Sequence, residues 1–176
     1  MRAFVAVPCP PEWEGPLEEI QRQIPVGRAV PSENLHVTLA FLGDVDLPEL
    51  EELHDRLEGA RLSPAMLQPA GLAQLGDRAL ALDLEPEPGL VALQAAVSRA
   101  TYNAGISLER RRFRPHITLL RFSKLTPGGR GALEAAVARL TMPEIAASAV
   151  REAVLYRSEL HHGGAVYEAL SAYPVR

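Results

Sequence analysis

HVTLAFLG at residues 36–43 and HITLLRFS at residues 116–123 are two versions of one pattern, with His116 standing 80 positions after His36 in a chain of 176 residues. Successive side chains of a β-strand point to opposite faces. His36 and Thr38 are therefore expected on one face, with Val37, Leu39 and Phe41 on the other. His116 and Thr118 likewise share a face, with Ile117 and Leu119 behind them. Five histidines and five threonines in this length give only about 0.14 chance occurrences of His-x-Thr. A duplicated motif of this kind is a repeat, and repeats are read before anything else.

The flanks repeat as well. Ahead of the first motif lie a strand-like run, Arg2 to Val7, and an amphipathic stretch from Glu12 to Ile24 with Trp13, Leu17, Ile20 and Ile24 at helical spacing. Ahead of the second lie an alternating strand, Ala79 to Leu84, and a helix from Leu90 to Tyr102 with Leu90, Leu93, Val97 and Thr101 on one face. Behind the motifs, Pro48 opens a helix with Leu50, Leu53 and Leu57 on one stripe, and Pro127 opens another with Leu133, Val137 and Leu140. Strands are then expected at Ala65 to Ala73 and Ala149 to Tyr156, and Val166 to Tyr173 closes a hairpin turned at Gly163-Gly164. The order β-α-β-α-β occurs twice without a Pro- or Gly-rich linker between the copies. This predicts an α+β fold over 1–176: one domain of two pseudo-symmetric lobes, each a mainly antiparallel sheet with helices on its outer face, and a central cleft between motifs 36–39 and 116–119.

Composition narrows the class. With 47% hydrophobic and 23% charged residues the sequence is that of a folded globular protein rather than a disordered or fibrous one. The apolar run Ala3 to Val7 ends at Pro8, too short for a signal-peptide core, and no apolar stretch is long enough to span a bilayer, so a cytoplasmic protein without membrane contact is expected. The single cysteine, Cys9, has no partner for a disulfide or a redox pair and is expected to be a small buried residue at a strand end. A net charge of −4 disfavours a broad basic face for duplex nucleic acid. Segment 108–121 nevertheless carries a local +4 from Arg110, Arg111, Arg112, Arg114 and Arg121 against Glu109, which suits a small anion held at one place.

If the lobes bring the motifs together, two imidazoles and two hydroxyls face one cleft. A histidine with a pKa near 6.5 serves as base in one protonation state and acid in the other. Hydroxyls donate to non-bridging oxygens where negative charge sits in a phosphoryl transition state. That is a set for phosphodiester cleavage with His36, Thr38, His116 and Thr118 as the catalytic candidates, and it calls for no metal and no cofactor. No compact His/Asp/Glu cluster of metal-ligand spacing stands out in the sequence. Arg121 could hold a phosphate bidentately, but strict alternation puts it on the core face, so a strand end or bulge must turn it toward the cleft. Arg114, within the run Arg110 to Arg114, is the second substrate-binding candidate; His54 is expected at the surface and His161-His162 at an exposed hairpin tip.

These residues resemble a known family. The paired His-x-Thr motifs look like the two-histidine (2H) phosphoesterases. NLHVTLAFLG (34–43), RPHITLLR (114–121), the opening RAFVAV and the closing GGAVYEAL resemble the bacterial 2′-5′ RNA ligases, also called RNA 2′,3′-cyclic phosphodiesterases. The resemblance implies metal-free hydrolysis of a terminal 2′,3′-cyclic phosphate of RNA to a 2′-phosphate, with reverse 2′-5′ ligation as a family property and no nucleotide cofactor. The implied partners are RNA ends, tRNA-like ones included, or small cyclic nucleotides, acted on by a monomer. The same quartet would serve a 2H enzyme acting on ADP-ribose 1″,2″-cyclic phosphate or 2′-5′ oligoadenylate. It would also serve a non-catalytic module that merely holds an RNA end.

Overall fold

A computed structural model describes residues 1–176. In chain order the elements are β1 (Arg2–Pro8), α1 (Pro11–Arg22), β2 (Arg28–Ala29), β3 (His36–Asp44), α2 (Leu47–Glu58), β4 (Met66–Leu67), β5 (Pro69–Leu75), β6 (Ala79–Leu84), α3 (Pro88–Asn103), β7 (His116–Arg121), α4 (Pro127–Arg139), β8 (Ser148–Ala149), β9 (Glu152–His161) and β10 (Gly164–Pro174). The repeated order is present, with Pro near the start of every helix, where its missing N–H costs nothing. Asp46 and Glu49 form a reciprocal capping box on α2, and Glu87 and Thr126 cap α3 and α4. The closing hairpin turns one residue earlier than expected, at His162-Gly163, with Gly164 at φ +122° already in β10.

The main sheet runs β10-β9-β1-β3-β7-β6-β5, with β2 added on β7. All its pairings are antiparallel. Its two halves join through a single registered pair, Val37 opposite Ile117. These are the residues between His and Thr in each motif. Antiparallel pairing at that point sets His36 beside Thr118 and Thr38 beside His116 on neighbouring strands about 4.8 Å apart. A pseudo-twofold axis passing through this pair relates the two motifs.

The lobes are not the two halves of the sequence. The last strand of each repeat crosses over: β9, from the second half, pairs with β1, while β5, from the first half, pairs with β6. Helices cross as well. Gln21 of α1 donates to the Leu119 carbonyl of β7, and Gln94 of α3 donates to the Leu39 carbonyl of β3. Each lobe is therefore built from both repeats, and one apolar core, from Ala3 and Trp13 to Leu155 and Tyr173, runs through the whole molecule. The strand expected at 65–73 is divided into β4 and β5, with Pro69 on the sheet edge where its lack of a donor is tolerated. No helix is long and apolar enough to cross a membrane.

Candidate active site

Both motif strands carry a bulge. In β3, Ala6 faces Thr38 and Val5 faces Ala40, so Leu39 has no partner on β1. In β7, Ala81 faces Thr118 and Leu80 faces Leu120, so Leu119 has none on β6. A bulge shifts the parity of everything after it. Leu39 and Ala40 are both buried, as are Leu119 and Leu120, and the fifth residue after each histidine emerges on the other face. Phe41 is consequently 52% exposed, against the expectation of a core position, and carries the Arg2 guanidinium 5.2 Å from its ring centroid. The equivalent residue in the second motif is Arg121, and the same shift brings it to the cleft. The carbonyl of Leu119 accepts hydrogen bonds from Gln21 Nε2 and from the Val30 N–H, both at 2.9 Å, so the acceptor at the bulge is satisfied.

His36, Thr38, His116, Thr118 and Arg121 line one cavity of about 310 Å³, together with Val30, Asn34, Leu75, Arg78, Ala79 and Tyr167. Each histidine is oriented alike. His36 Nδ1–H donates to the Asn34 carbonyl at 2.7 Å and His116 Nδ1–H to the Arg114 carbonyl at 2.7 Å, so both rings present Nε2. The residues that supply these carbonyls are themselves anchored. Asn34 Nδ2 donates to the Ala165 carbonyl of β10 at 2.8 Å, and Arg114 pairs with Asp83 of β6 at 2.9 Å. Arg114 thus serves His116 through its backbone, and its side chain, committed to Asp83, does not line the cavity. The His36 Nε2 lies 3.1 Å from the Thr38 hydroxyl, so the roughly 7 Å that separates i and i+2 along a strand closes up once the side chains lean together.

His36 packs against Phe4 at 4.9 Å and edge-on to Tyr167 at 5.4 Å between ring centroids. Burial in this aromatic setting pushes its pKa below the ordinary imidazole value; the Asn34 carbonyl opposes the shift, while the Arg121 and His116 charges add to it. No carboxylate lines the cavity. An anion entering it meets no opposing carboxylate and two guanidinium groups, those of Arg78 and Arg121.

Sequence reading missed Asn34, Arg78 and Tyr167, because they reach the cavity from a short 3-10 turn (Ser32–Asn34), a β-turn and the crossed-over hairpin. Cys9 is buried as expected, its thiol pushed up to about 12 by burial, with Glu14 and Glu12 adding to it. Two expectations are corrected. His54 is half-buried, its Nδ1 bonded to the Tyr173 hydroxyl at 3.0 Å. With Asp55 and Glu58 it also forms a cluster whose potential ligand atoms lie within 4.8 Å of one another, which the spacing on α2 should have signalled; none of the three lines the cavity. His161 and His162 sit exposed at the hairpin tip.

Two half-sheets joined through a pair of His-x-Thr strands, with all four side chains on one cavity, make a two-histidine phosphoesterase fold. The chain belongs to the 2′-5′ RNA ligase superfamily, whose family model matches residues 9–161. It is 31% identical over 186 aligned positions to an RNA 2′,3′-cyclic phosphodiesterase of Geobacillus stearothermophilus; the alignment takes in 98% of this chain but only 56% of that protein's length. Among solved structures it superimposes on Escherichia coli LigT in apo form with a TM-score of 0.80 at 26% identity, covering 99% of this chain and 96% of LigT. For LigT complexed with 3′-AMP the TM-score is 0.77 at the same identity and coverage.

Proposed function

We propose that this protein hydrolyses the terminal 2′,3′-cyclic phosphate of RNA to a 2′-phosphate by acid–base catalysis between His36 and His116. The observation that carries the reading is the pair of imidazoles held by equivalent Nδ1–H bonds, both presenting Nε2 to a cavity that also holds Thr38, Thr118 and Arg121. A neutral imidazole takes a proton from water as its oxygen attacks phosphorus. The P–O3′ bond breaks, and the other, protonated imidazole delivers a proton to O3′. The two hydroxyls and the Arg121 guanidinium hold the non-bridging oxygens as charge builds on them. Ligation is the same displacement with an RNA 5′-hydroxyl in place of water, which leaves a 2′-5′ bond. The Geobacillus stearothermophilus relative and the 3′-AMP bound by LigT support a ribonucleotide end as substrate.

The proposed enzyme is a monomer, works in the cytoplasm on RNA ends including tRNA-like ones, and uses no metal. The test is product analysis on an RNA ending in a 2′,3′-cyclic phosphate, with ADP-ribose 1″,2″-cyclic phosphate and 2′-5′ oligoadenylate alongside. A 2′-phosphate product at the highest kcat/KM of the panel is expected. A 3′-phosphate product, or faster turnover of either alternative, overturns the assignment, and absence of turnover leaves a module that only holds RNA ends.

A further inference from the structure

Arg121 does not stand alone. Its neighbour on β2 is Arg28, directly opposite in register, and its neighbour on β6 is Ala79, with Arg78 one residue earlier at the end of the β5–β6 turn. Arg28 and Arg121, opposite each other in an antiparallel pair, project from the same face, and Arg78 joins Arg121 at the cavity from the turn that precedes β6. Like charges in such positions repel one another. None of the three has an acidic partner within ion-pair distance. Asp77, adjacent to Arg78 in sequence, is taken by Arg130 of α4 at 3.2 Å. On the other side Arg28 reaches toward the β9–β10 hairpin: a Cβ built on Gly164 would lie 3.6 Å from its Nη2. Arg78 lines the cavity with Arg121, and Arg28, outside the lining, is held in register with Arg121, so positive charge continues beyond what one phosphate needs.

We infer that Arg28 and Arg78 form a second phosphate subsite beside Arg121, which takes the phosphodiester linking the terminal nucleotide to the one before it. The inference rests on the hydrolytic reading of the cavity. It makes the preferred substrate an oligonucleotide end rather than a free cyclic mononucleotide. The repulsion between Arg28 and Arg121 is relieved when a second anion enters, and the salt dependence of binding records the counterions released from that extra phosphate.

The deciding measurement compares a nucleoside 2′,3′-cyclic phosphate with a dinucleotide ending in the same cyclic phosphate, for the wild type and for R28Q/R78Q. The wild type should favour the dinucleotide, and the double variant should lower the dinucleotide-to-mononucleotide ratio of kcat/KM at least tenfold. Both side chains are exposed and unpaired, so an unchanged melting temperature is expected to confirm that the variant folds. A binding arm uses the corresponding 2′-phosphates. There the substitutions should flatten the slope of log K against log salt for the dinucleotide by about 0.7 for each phosphate the protein no longer neutralises. A ratio that stays within twofold, or equal losses on both ligands, overturns the subsite. If the wild type turns over neither substrate, the hydrolytic reading fails, and the binding ratio still decides the subsite.

Discussion

Single residues in the cavity have roles that substitution can separate. Replacing His36 or His116 by alanine should lower kcat by about 10²- to 10⁴-fold while leaving the fold intact. The two losses should combine to far less than their product, because the proton taken at one ring and the proton given at the other belong to a single event. Near-normal turnover by either single variant would remove the acid–base pair. Arg121→Lys keeps the charge but loses the planar fork, so kcat/KM should fall where phosphate is gripped bidentately, and equal activity of the two proteins would show a point charge to suffice. Chelator-treated protein should retain full activity, since the cavity lining offers no carboxylate or thiolate; loss of turnover with EDTA and its return with a divalent ion would contradict the scheme. At this scale the two histidines and two threonines were legible because a period-two strand forces i and i+2 to one face. Tyr167 and Arg78 were not legible, as nothing local ties them to the motifs.

At the scale of the element, the bulges at Leu39 and Leu119 matter most. Alternation alone places residue i+5 on the core face, which would bury an arginine without a partner. The bulge costs a ladder position and exposes Arg121 instead, and Gln21, itself buried, ties it to α1 through the Leu119 and Val30 carbonyls at 2.9 Å each. Gln21→Leu keeps the volume and removes both donors. Leaving the part-buried Val30 carbonyl without this partner should cost about 1–3 kcal/mol. For a domain of this size that corresponds to a melting temperature lower by about 2–4 °C per kcal/mol. Thermal unfolding measures it, and an unchanged midpoint would mean that the bulge holds without α1. The need for a bulge could be stated from sequence, given an arginine on the wrong parity. Its position could not, because Leu-Leu and Leu-Ala steps suit a regular strand equally well.

For the whole molecule, the buried setting of His36 couples stability to pH. Its folded pKa is lowered, so the unfolded chain binds more protons over the interval between the two values, and stability rises with pH there. This contribution is complete above the unfolded histidine pKa of about 6.5 and is lost as pH falls through the lower folded value. The melting temperature of the wild type should therefore fall on acidification below about pH 6.5 by more than that of His36→Gln, which has no proton to take up. Parallel curves for the two proteins would show that His36 contributes nothing to the pH dependence. Activity obeys a different constraint, one ring neutral and one protonated. A bell-shaped kcat/KM profile peaking within about one unit of pH 6.5 is expected, its limbs belonging to the pair.

The repeat, the four motif side chains and the type of nearly every element were readable in the sequence, because these depend on periodicities of two and 3.6 and on the conformational limits of Pro and Gly. Three things were set by how distant segments pack: that β5 and β9 exchange between lobes, that Val37 meets Ile117 on the pseudo-twofold axis, and that Arg28 and Arg78 come together with Arg121. Strand partners are selected by how apolar faces from distant segments are covered together, and no local pattern of residues encodes which of two equivalent edges a strand will join.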